Sequence, residues 1–286
     1  MEFTYFQAIL TGLIQGITEL FPVSSLGHAV LVPAWIGGSW SNFTTDPNSP
    51  YLAVTVALHA ASAIALFLVF RKRWFELIGG AFNSLKGRNS NASRVFWRVF
   101  LATIPVAFLG FVFEKKLREI FSSPLAAASF LTINGLLLFT AERLTRRSNK
   151  SHVHEDSNGQ IVEHLSVPAA MTIGLAQSLA LLSGISRFGI SMSAGLVKKL
   201  SHATASDFAF LLALPVIAGA AFLKVPDLMA PEYKSILGAI LAGSVVSFFA
   251  TYASVTFLVK WFKTKTLYPF AIYCLIFGIA SIIRFA

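Results

Sequence analysis

Six uninterrupted apolar runs, at about residues 51–70, 96–113, 124–141, 207–223, 236–259 and 267–285, constrain the fold of this chain more than any other feature. Crossing a hydrocarbon layer of ~30 Å as a helix takes about 20 apolar residues, and each run meets that length. Hydrocarbon offers the backbone no hydrogen-bond partner, so segments that cross it must be helices that satisfy themselves. Composition agrees: 55% of the 286 residues are hydrophobic and 13% are charged, against ~25% charged in an average soluble domain. A water-soluble fold is excluded, and no length remains for a sizeable soluble domain.

The formal charge of +10 could suggest a nucleic-acid partner, but Lys and Arg lie between the apolar runs, and no nucleic acid is expected. The segment 71–98 carries Arg71, Lys72, Arg73, Lys86, Arg88, Arg94 and Arg98, and Arg143, Arg146, Arg147 and Lys150 follow Glu142. Residues 37–50 carry no Lys or Arg. By the positive-inside rule the first two loops are cytoplasmic and the third is external. Lys115, Lys116 and Arg118, partly offset by Glu114 and Glu119, run against that alternation. Cys274 stands alone in an apolar run, so an internal disulfide and a thiolate metal site are not expected. The first residues show neither a basic n-region nor an A-x-A cleavage site, and read as mature protein.

Two further apolar stretches, 3–36 and 167–200, are too long for one crossing and are broken by turn-forming residues. The breaks are Pro22-Val23-Ser24-Ser25-Leu26-Gly27-His28 and Ser183-Gly184-Ile185-Ser186-Arg187-Phe188-Gly189. Each stretch reads as a pair of half-helices whose break must be enclosed by protein. Shifting the chain by 162 residues lays Gly12, Leu13, Gln15, Leu20, Ser24 and Gly27 over Gly174, Leu175, Gln177, Leu182, Ser186 and Gly189. Each half would hold one re-entrant pair and three spans, and an odd number of spans inverts the second copy. The other reading is a chance alignment of similar apolar segments. The expected fold is an all-α polytopic membrane protein with an inverted-topology repeat, six transmembrane helices and two re-entrant helical hairpins. Repeat one covers about 1–141, a cytoplasmic loop about 142–166, and repeat two about 167–286 of one membrane domain.

Glu19 lies inside an apolar stretch, where a charge costs ~3 kcal/mol or more unless paired or wet. Gln15 and Glu19 are four apart and share a helix face, and His28 follows the break, so all three can face one cavity. Arg187 sits in the second break, where its fork of donors can hold a phosphate at two points. Ser24, Ser25, Ser186 and Ser191 add hydroxyls, and Gly27 and Gly189 let backbone amides approach a ligand. Each break also opens a helix whose N-terminus favours anions. Phosphoryl hydrolysis would further need a nucleophile and a proton carrier, for which Ser25 and His28 are candidates. Two plainer readings stay open: Glu19 pairing with a cation from another helix, and Arg187 pairing with Glu19 only to fix packing. His59, within a span, is either a satisfied core residue or part of the site. His152, His154, His164 and His202 lie in or beside loops and read as solvated.

The sequence Gln15-x-x-x-Glu19 followed by Phe21 through His28, and Gly184 through Gly189 later, resembles the two signature motifs of the bacterial undecaprenyl-diphosphatase family, also called bacitracin-resistance proteins. The resemblance extends along nearly the whole chain, including Ala205–Pro215 and Pro269–Tyr273. It implies removal of the terminal phosphate of undecaprenyl diphosphate, or a related polyprenyl diphosphate, at the outer side of the bacterial plasma (inner) membrane. That reaction regenerates the lipid carrier for cell-wall synthesis and confers bacitracin resistance. It also implies catalytic roles for Glu19, Ser25, His28 and Arg187. Attack by Ser25, by His28 or by water remains open, and Glu19 would orient the nucleophile or bind Mg²⁺ or Ca²⁺. The expected partners are the lipid diphosphate, the bilayer and, for a homodimer, a second copy. Ser183, Phe188 and Ser191 stand where the family usually has Pro, Ser and Thr, and the Phe188 ring is expected to narrow or re-aim the phosphate cradle. The other functional class for the same site is a polyprenyl-phosphate transporter. A structural protein is the third reading.

Overall fold

The computed structural model describes residues 3–45, 49, 51–113, 123–149, 165–224, 228 and 234–286. Lys115, Lys116, Arg118, Glu114, Glu119, Lys150, His152, His154 and His164 lie outside the described residues, as does most of the expected cytoplasmic loop. The described residues are all-helical, with no strand among them. The six expected spans are α4 (Tyr51–Val69), α6 (Asn91–Val112), α7 (Pro124–Asn149), α10 (His202–Lys224), α11 (Leu237–Trp261) and α12 (Tyr268–Phe285). Five of them are by themselves long and apolar enough to cross a membrane. The sixth, α4, is 19 residues long and is bent by 83° from the following α5 (Arg71–Leu85).

Helix α5 is a departure from the sequence reading, which takes 71–98 as loop. Trp74, Leu77, Gly80 and Ala81 form its buried stripe, and it packs on α6. That stripe occupies one narrow face, which three leading cations and two glycines obscure when the segment is scanned for apolar runs.

The two broken stretches resolve into short helices as expected. The first gives α1 (Tyr5–Thr18) and α2 (Ser25–Ile36), followed by α3 (Gly38–Thr45); the second gives α8 (Val167–Gln177), a 3-10 turn (Ser178–Leu181) and α9 (Arg187–Val197). A capping box at Thr4, with its hydroxyl accepting from the Gln7 amide, starts α1, and Ser166 caps α8. Ser24 and Ser186 cap α2 and α9 in the same way, each accepting from the amide three residues on.

Small residues bring α1 and α8 against long helices from the opposite half of the chain. A Cβ on Gly12 would lie 2.1 Å from the Gly243 carbonyl oxygen of α11, and one on Gly174 would lie 2.1 Å from that of Ala102 in α6. Without water to expel, helix association in lipid depends on such close backbone packing. Helix α1 runs along α11 in the same direction, Tyr5 at Gly238 and Gly16 at Ser247. Helix α7 runs opposite to α12, with Glu142 at Leu267 and Thr132 at Gly278. The ends of α4, α7 and α11 and the start of α10 thereby gather Arg71, Lys72, Arg73, Arg143, Arg146, Arg147, Lys198, Lys199, Lys260, Lys263 and Lys265 at one end of the bundle. At that end Glu142, fully buried on α7, accepts from His202 Nε2 at 2.7 Å, from the Leu267 amide at 3.2 Å and from Arg146 Nε at 3.3 Å. His202 is therefore a hydrogen-bond partner of Glu142 and not a solvated histidine, because the start of α10 packs at the end of α7.

Gly12→Ala and Gly174→Ala are each expected to destabilise the folded protein by about 1–3 kcal/mol through overpacking. Gly79→Ala, where a Cβ meets nothing within 4 Å, should be neutral or slightly stabilising. Thermal unfolding in detergent checks the contrast, and equal midpoints for all three would contradict the close packing.

A candidate active site where two helix breaks meet

The polar groups of the two breaks satisfy one another. Ser24 has φ +69°, a left-handed conformation that costs a non-glycine residue about 1–3 kcal/mol unless its surroundings fix it. Its hydroxyl accepts from the Gly27 and Gly184 amides, both at 3.2 Å, and its carbonyl accepts from His28 Nδ1 at 2.7 Å. The Ser186 hydroxyl accepts from the Gly189 amide at 3.0 Å and donates to the Phe21 carbonyl at 3.2 Å. Asn134, midway along α7, joins both breaks: its Nδ2 donates to the Pro22 carbonyl and its Oδ1 accepts from the Ser186 amide, each at 3.0 Å. Gly184 has φ +113°, and a Cβ on it would lie 2.4 Å from the Ala127 carbonyl oxygen, so only glycine lets the second break approach α7 this closely.

Glu19, the residue after α1, is the hub of the site. Its Oε2 accepts from Gln15 Nε2 at 2.8 Å, from the Ser25 hydroxyl and from His59 Nε2 at 3.1 Å. His59 Nδ1 faces the Thr55 carbonyl at 2.7 Å, so both ring nitrogens meet oxygen atoms and the ring is fixed between α4 and the carboxylate. Arg187, first residue of α9, places Nη1 3.9 Å from Glu19 Oε1, and that nitrogen has no hydrogen-bond partner. Gln15 Oε1 is likewise buried without a partner. Glu19, Ser24, Ser25, Leu26, Ala180, Ile185 and Arg187 line a small cavity here. Beside its one carboxylate the cavity offers the Arg187 guanidinium and two helix N-termini, donors that suit an anion.

The structure brings Gln15, Glu19, Ser24, Ser25, Gly27, Ser186, Gly189 and Arg187 together, but not in the roles their types suggest. The hydroxyls of Ser24 and Ser186 are engaged as helix caps, whereas that of Ser25 lies on the carboxylate. His28 turns away from Glu19: its Nε2 lies 2.6 Å from the Tyr273 hydroxyl of α12, against which its ring stacks. The histidine at Glu19 is His59. Ser191 donates to Gln177 Oε1 at 3.3 Å and does not line the cavity. Phe188 is fully buried, stacked on Phe210 with ring centroids 4.5 Å apart and packed on Phe262, so its ring neither narrows nor re-aims the cradle. Asn134 and Tyr273 are the functional neighbours that the sequence reading missed. Asn134 had a signal, an amide in the middle of an apolar run; Tyr273 had only its place in the Pro269–Tyr273 run of the resemblance, which does not point to His28.

For a divalent cation, Glu19 Oε1 and the unpartnered Gln15 Oε1 are hard oxygen donors of the kind Mg²⁺ and Ca²⁺ take. Among the described residues no three His, Cys, Asp or Glu side chains group as a metal cluster. The donor set therefore fits a cation held chiefly by the oxygens of a bound diphosphate.

Residues 8–280 match the family described as bacitracin resistance protein BacA. The chain is 42% identical over 339 residues to undecaprenyl-diphosphatase 2 of Frankia alni, covering 100% of this chain and 99% of that one. It is 42% identical over 299 residues to the undecaprenyl-diphosphatase of Mycolicibacterium paratuberculosis, covering 99% and 98%. Undecaprenyl-diphosphatase 2 of Chromobacterium violaceum is 40% identical over 282 residues, with 97% of each chain covered. With the match running through both helix breaks and every described span, this chain belongs to the bacitracin resistance protein BacA family.

Proposed function

We propose that the protein hydrolyses undecaprenyl diphosphate, or a related polyprenyl diphosphate, to the monophosphate and phosphate, recycling the lipid carrier of cell-wall synthesis. The observation that carries this reading is the Ser25 hydroxyl bonded to a buried carboxylate in a cavity that also holds an unpartnered Arg187 nitrogen. Full-length similarity to proteins named undecaprenyl-diphosphatase supplies the substrate.

In the proposed reaction the terminal phosphate sits against Arg187 and the amides that open α2 and α9. Ser25 Oγ attacks the terminal phosphorus and passes its proton to Glu19, and the bond to the bridging oxygen breaks, so that polyprenyl monophosphate leaves. Glu19 gives that proton to the departing monophosphate and is ionised again; it then takes a proton from the water that attacks the phosphoserine and delivers it to Ser25 Oγ as phosphate leaves. Most of the rate enhancement is electrostatic, from donors fixed before charge develops. His59 and Gln15 hold Glu19 in place. A divalent ion bound by Glu19, Gln15 and the diphosphate would neutralise charge on the phosphates. His28 acts as a positioning residue: with Tyr273 it fixes the left-handed Ser24, and hence the start of α2 that aims Ser25.

The architecture is read as an inverted repeat related by a shift of 162 residues. Support comes from Ser24 and Ser186 as equivalent caps and from Gly12 and Gly174 as equivalent crossings onto α11 and α6. With the cation-rich end in the cytoplasm by the positive-inside rule, α1 starts from the outer face of the plasma membrane, the side from which the diphosphate would reach the cavity.

Purified protein should release phosphate from undecaprenyl diphosphate, with Glu19→Gln and Arg187→Ala each lowering kcat by about 10²-fold or more while remaining folded. Wild-type protein that is folded but inactive with Mg²⁺ and with Ca²⁺ would overturn the hydrolase reading, and chelation should reversibly lower the rate. Ser25→Ala should abolish a phosphoserine that acid quenching traps in wild type; turnover by that variant at the wild-type rate would assign the attack to water. His59→Gln keeps one donor on Glu19, so it should retain more kcat than His59→Leu. Tyr273→Phe should instead lower thermal stability while changing kcat by less than about tenfold. Equal kcat for wild type and His59→Leu would remove His59 from the site.

A further inference from the structure

The 83° bend between α4 and α5 has no part in the proposed chemistry. If α4 crosses the membrane, α5 lies close to the membrane plane, at the cation-rich end of the bundle. Its residues sort into three faces. Trp74, Leu77, Gly80 and Ala81 are buried, and a Cβ on Gly80 would lie 2.7 Å from the Ser93 amide, so this face is committed to α6. Phe75, Ile78, Phe82 and Leu85, at helical spacing, form an outward apolar stripe, with Phe75 64%, Phe82 65% and Leu85 72% exposed. Glu76 and Asn83, about 100° round the helix from that stripe, are exposed and polar, and Glu76 pairs with Arg73 at 3.4 Å.

Three faces of this kind suit a helix at a boundary between three media: protein, hydrocarbon and water. A helix in bulk water would leave the Phe and Leu stripe unsatisfied, and a helix crossing the bilayer would place Glu76 and Arg73 in hydrocarbon. The cations sit where such a boundary places them. Exposed Lys72 lies between the apolar stripe and the polar face, while Lys86 and Arg88 follow the last turn, and none of the three has an ion-pair partner among the described residues. Trp97, on the adjoining turn of α6, is part-exposed and donates Nε1 to Ser84 of α5 at 3.0 Å, the arrangement of an interfacial aromatic.

We infer that α5 is an in-plane anchor whose Phe75, Ile78, Phe82 and Leu85 stripe enters the cytoplasmic leaflet while Lys72, Lys86 and Arg88 bind the headgroups of anionic phospholipids. Charge complementarity selects this occupant over a protein partner, since cations flank a stripe that carries no acidic side chain.

Because Cys274 is buried, single cysteines can be labelled selectively. Full-length Phe82→Cys, Phe75→Cys and Asn83→Cys, spin-labelled and reconstituted in vesicles of equal parts phosphatidylcholine and phosphatidylglycerol, would be compared with Ile133→Cys, an exposed position midway along α7. Labels at 75 and 82 should be accessible to oxygen at a depth clearly shallower than 133, and the label at 83 accessible to a water-soluble nickel chelate. Chelate access at 75 and 82 equal to that at 83 would put the stripe in water, and a depth equal to 133 would make α5 a span; either overturns the anchor. For the headgroups, the ratio of phosphatidylglycerol to phosphatidylcholine retained by purified protein should fall by at least about fivefold in the Lys72→Gln, Lys86→Gln, Arg88→Gln variant. An unchanged ratio with the variant still folded would overturn the anionic preference.

Discussion

A peptide group shut away from water must find its partner in the protein, and this chain interrupts two helices inside the bundle. Everything at the candidate site follows from how the interruption is satisfied. Ser24 and Ser186 each spend their hydroxyl on an amide of their own helix start, and Asn134 supplies one donor and one acceptor across the gap. An unmet buried amide or carbonyl costs several kcal/mol in an apolar medium. The two breaks are therefore much better together than apart, and their meeting puts two helix N-termini, Ser25 and Arg187 around one cavity. Contact across the gap needs residues without bulk: Gly27 lies so close to Gly184 that a Cβ would be 3.0 Å from its Cα.

Inside this frame Glu19 resolves two opposing demands. A carboxylate buried inside the protein must be compensated, yet one fully compensated by a tight ion pair could do no chemistry. The two oxygens meet these demands separately. Oε2 takes Gln15, Ser25 and His59, while Oε1 faces Arg187 at 3.9 Å, too far for a hydrogen bond. The hydrogen bonds fall on Oε2, and the guanidinium keeps a free N–H at the cavity. A close Glu19–Arg187 pair, one of the readings the sequence leaves open, would instead have consumed the donor that an anion needs.

The spans were legible because uninterrupted apolar length is a strong signal, and the half-helices because polar turn formers break runs otherwise too long for one crossing. The meeting of the breaks was legible for the same reason. What eluded the sequence was the direction of side chains. His28 follows the Ser25 break and Glu19 precedes it, so proximity in sequence suggested one cluster; yet a ring on the first turn of α2 reaches Tyr273, almost the whole chain away, while His59 from α4 reaches the carboxylate. No periodicity within a single segment carries that information. Helix α5 eluded it because a helix with three faces has no run of apolar residues long enough to stand out, and His202 because its partner Glu142 lies sixty residues earlier.

The departure at Phe188 shows how position within a motif decides its effect. The residue is the second of α9, and from there its side chain points to the core, where it is stacked on Phe210 and packed on Phe262 with no exposed surface. The groups that face the cavity from this break are Arg187 and Ile185. A hydroxyl at 188 would lie among Phe210, Phe262 and their neighbours, where it would need a partner that apolar rings do not supply. The phenyl ring and its two aromatic neighbours therefore form one packing unit, and the change of residue type strengthens the wall behind Arg187 without altering the donors that Arg187 presents.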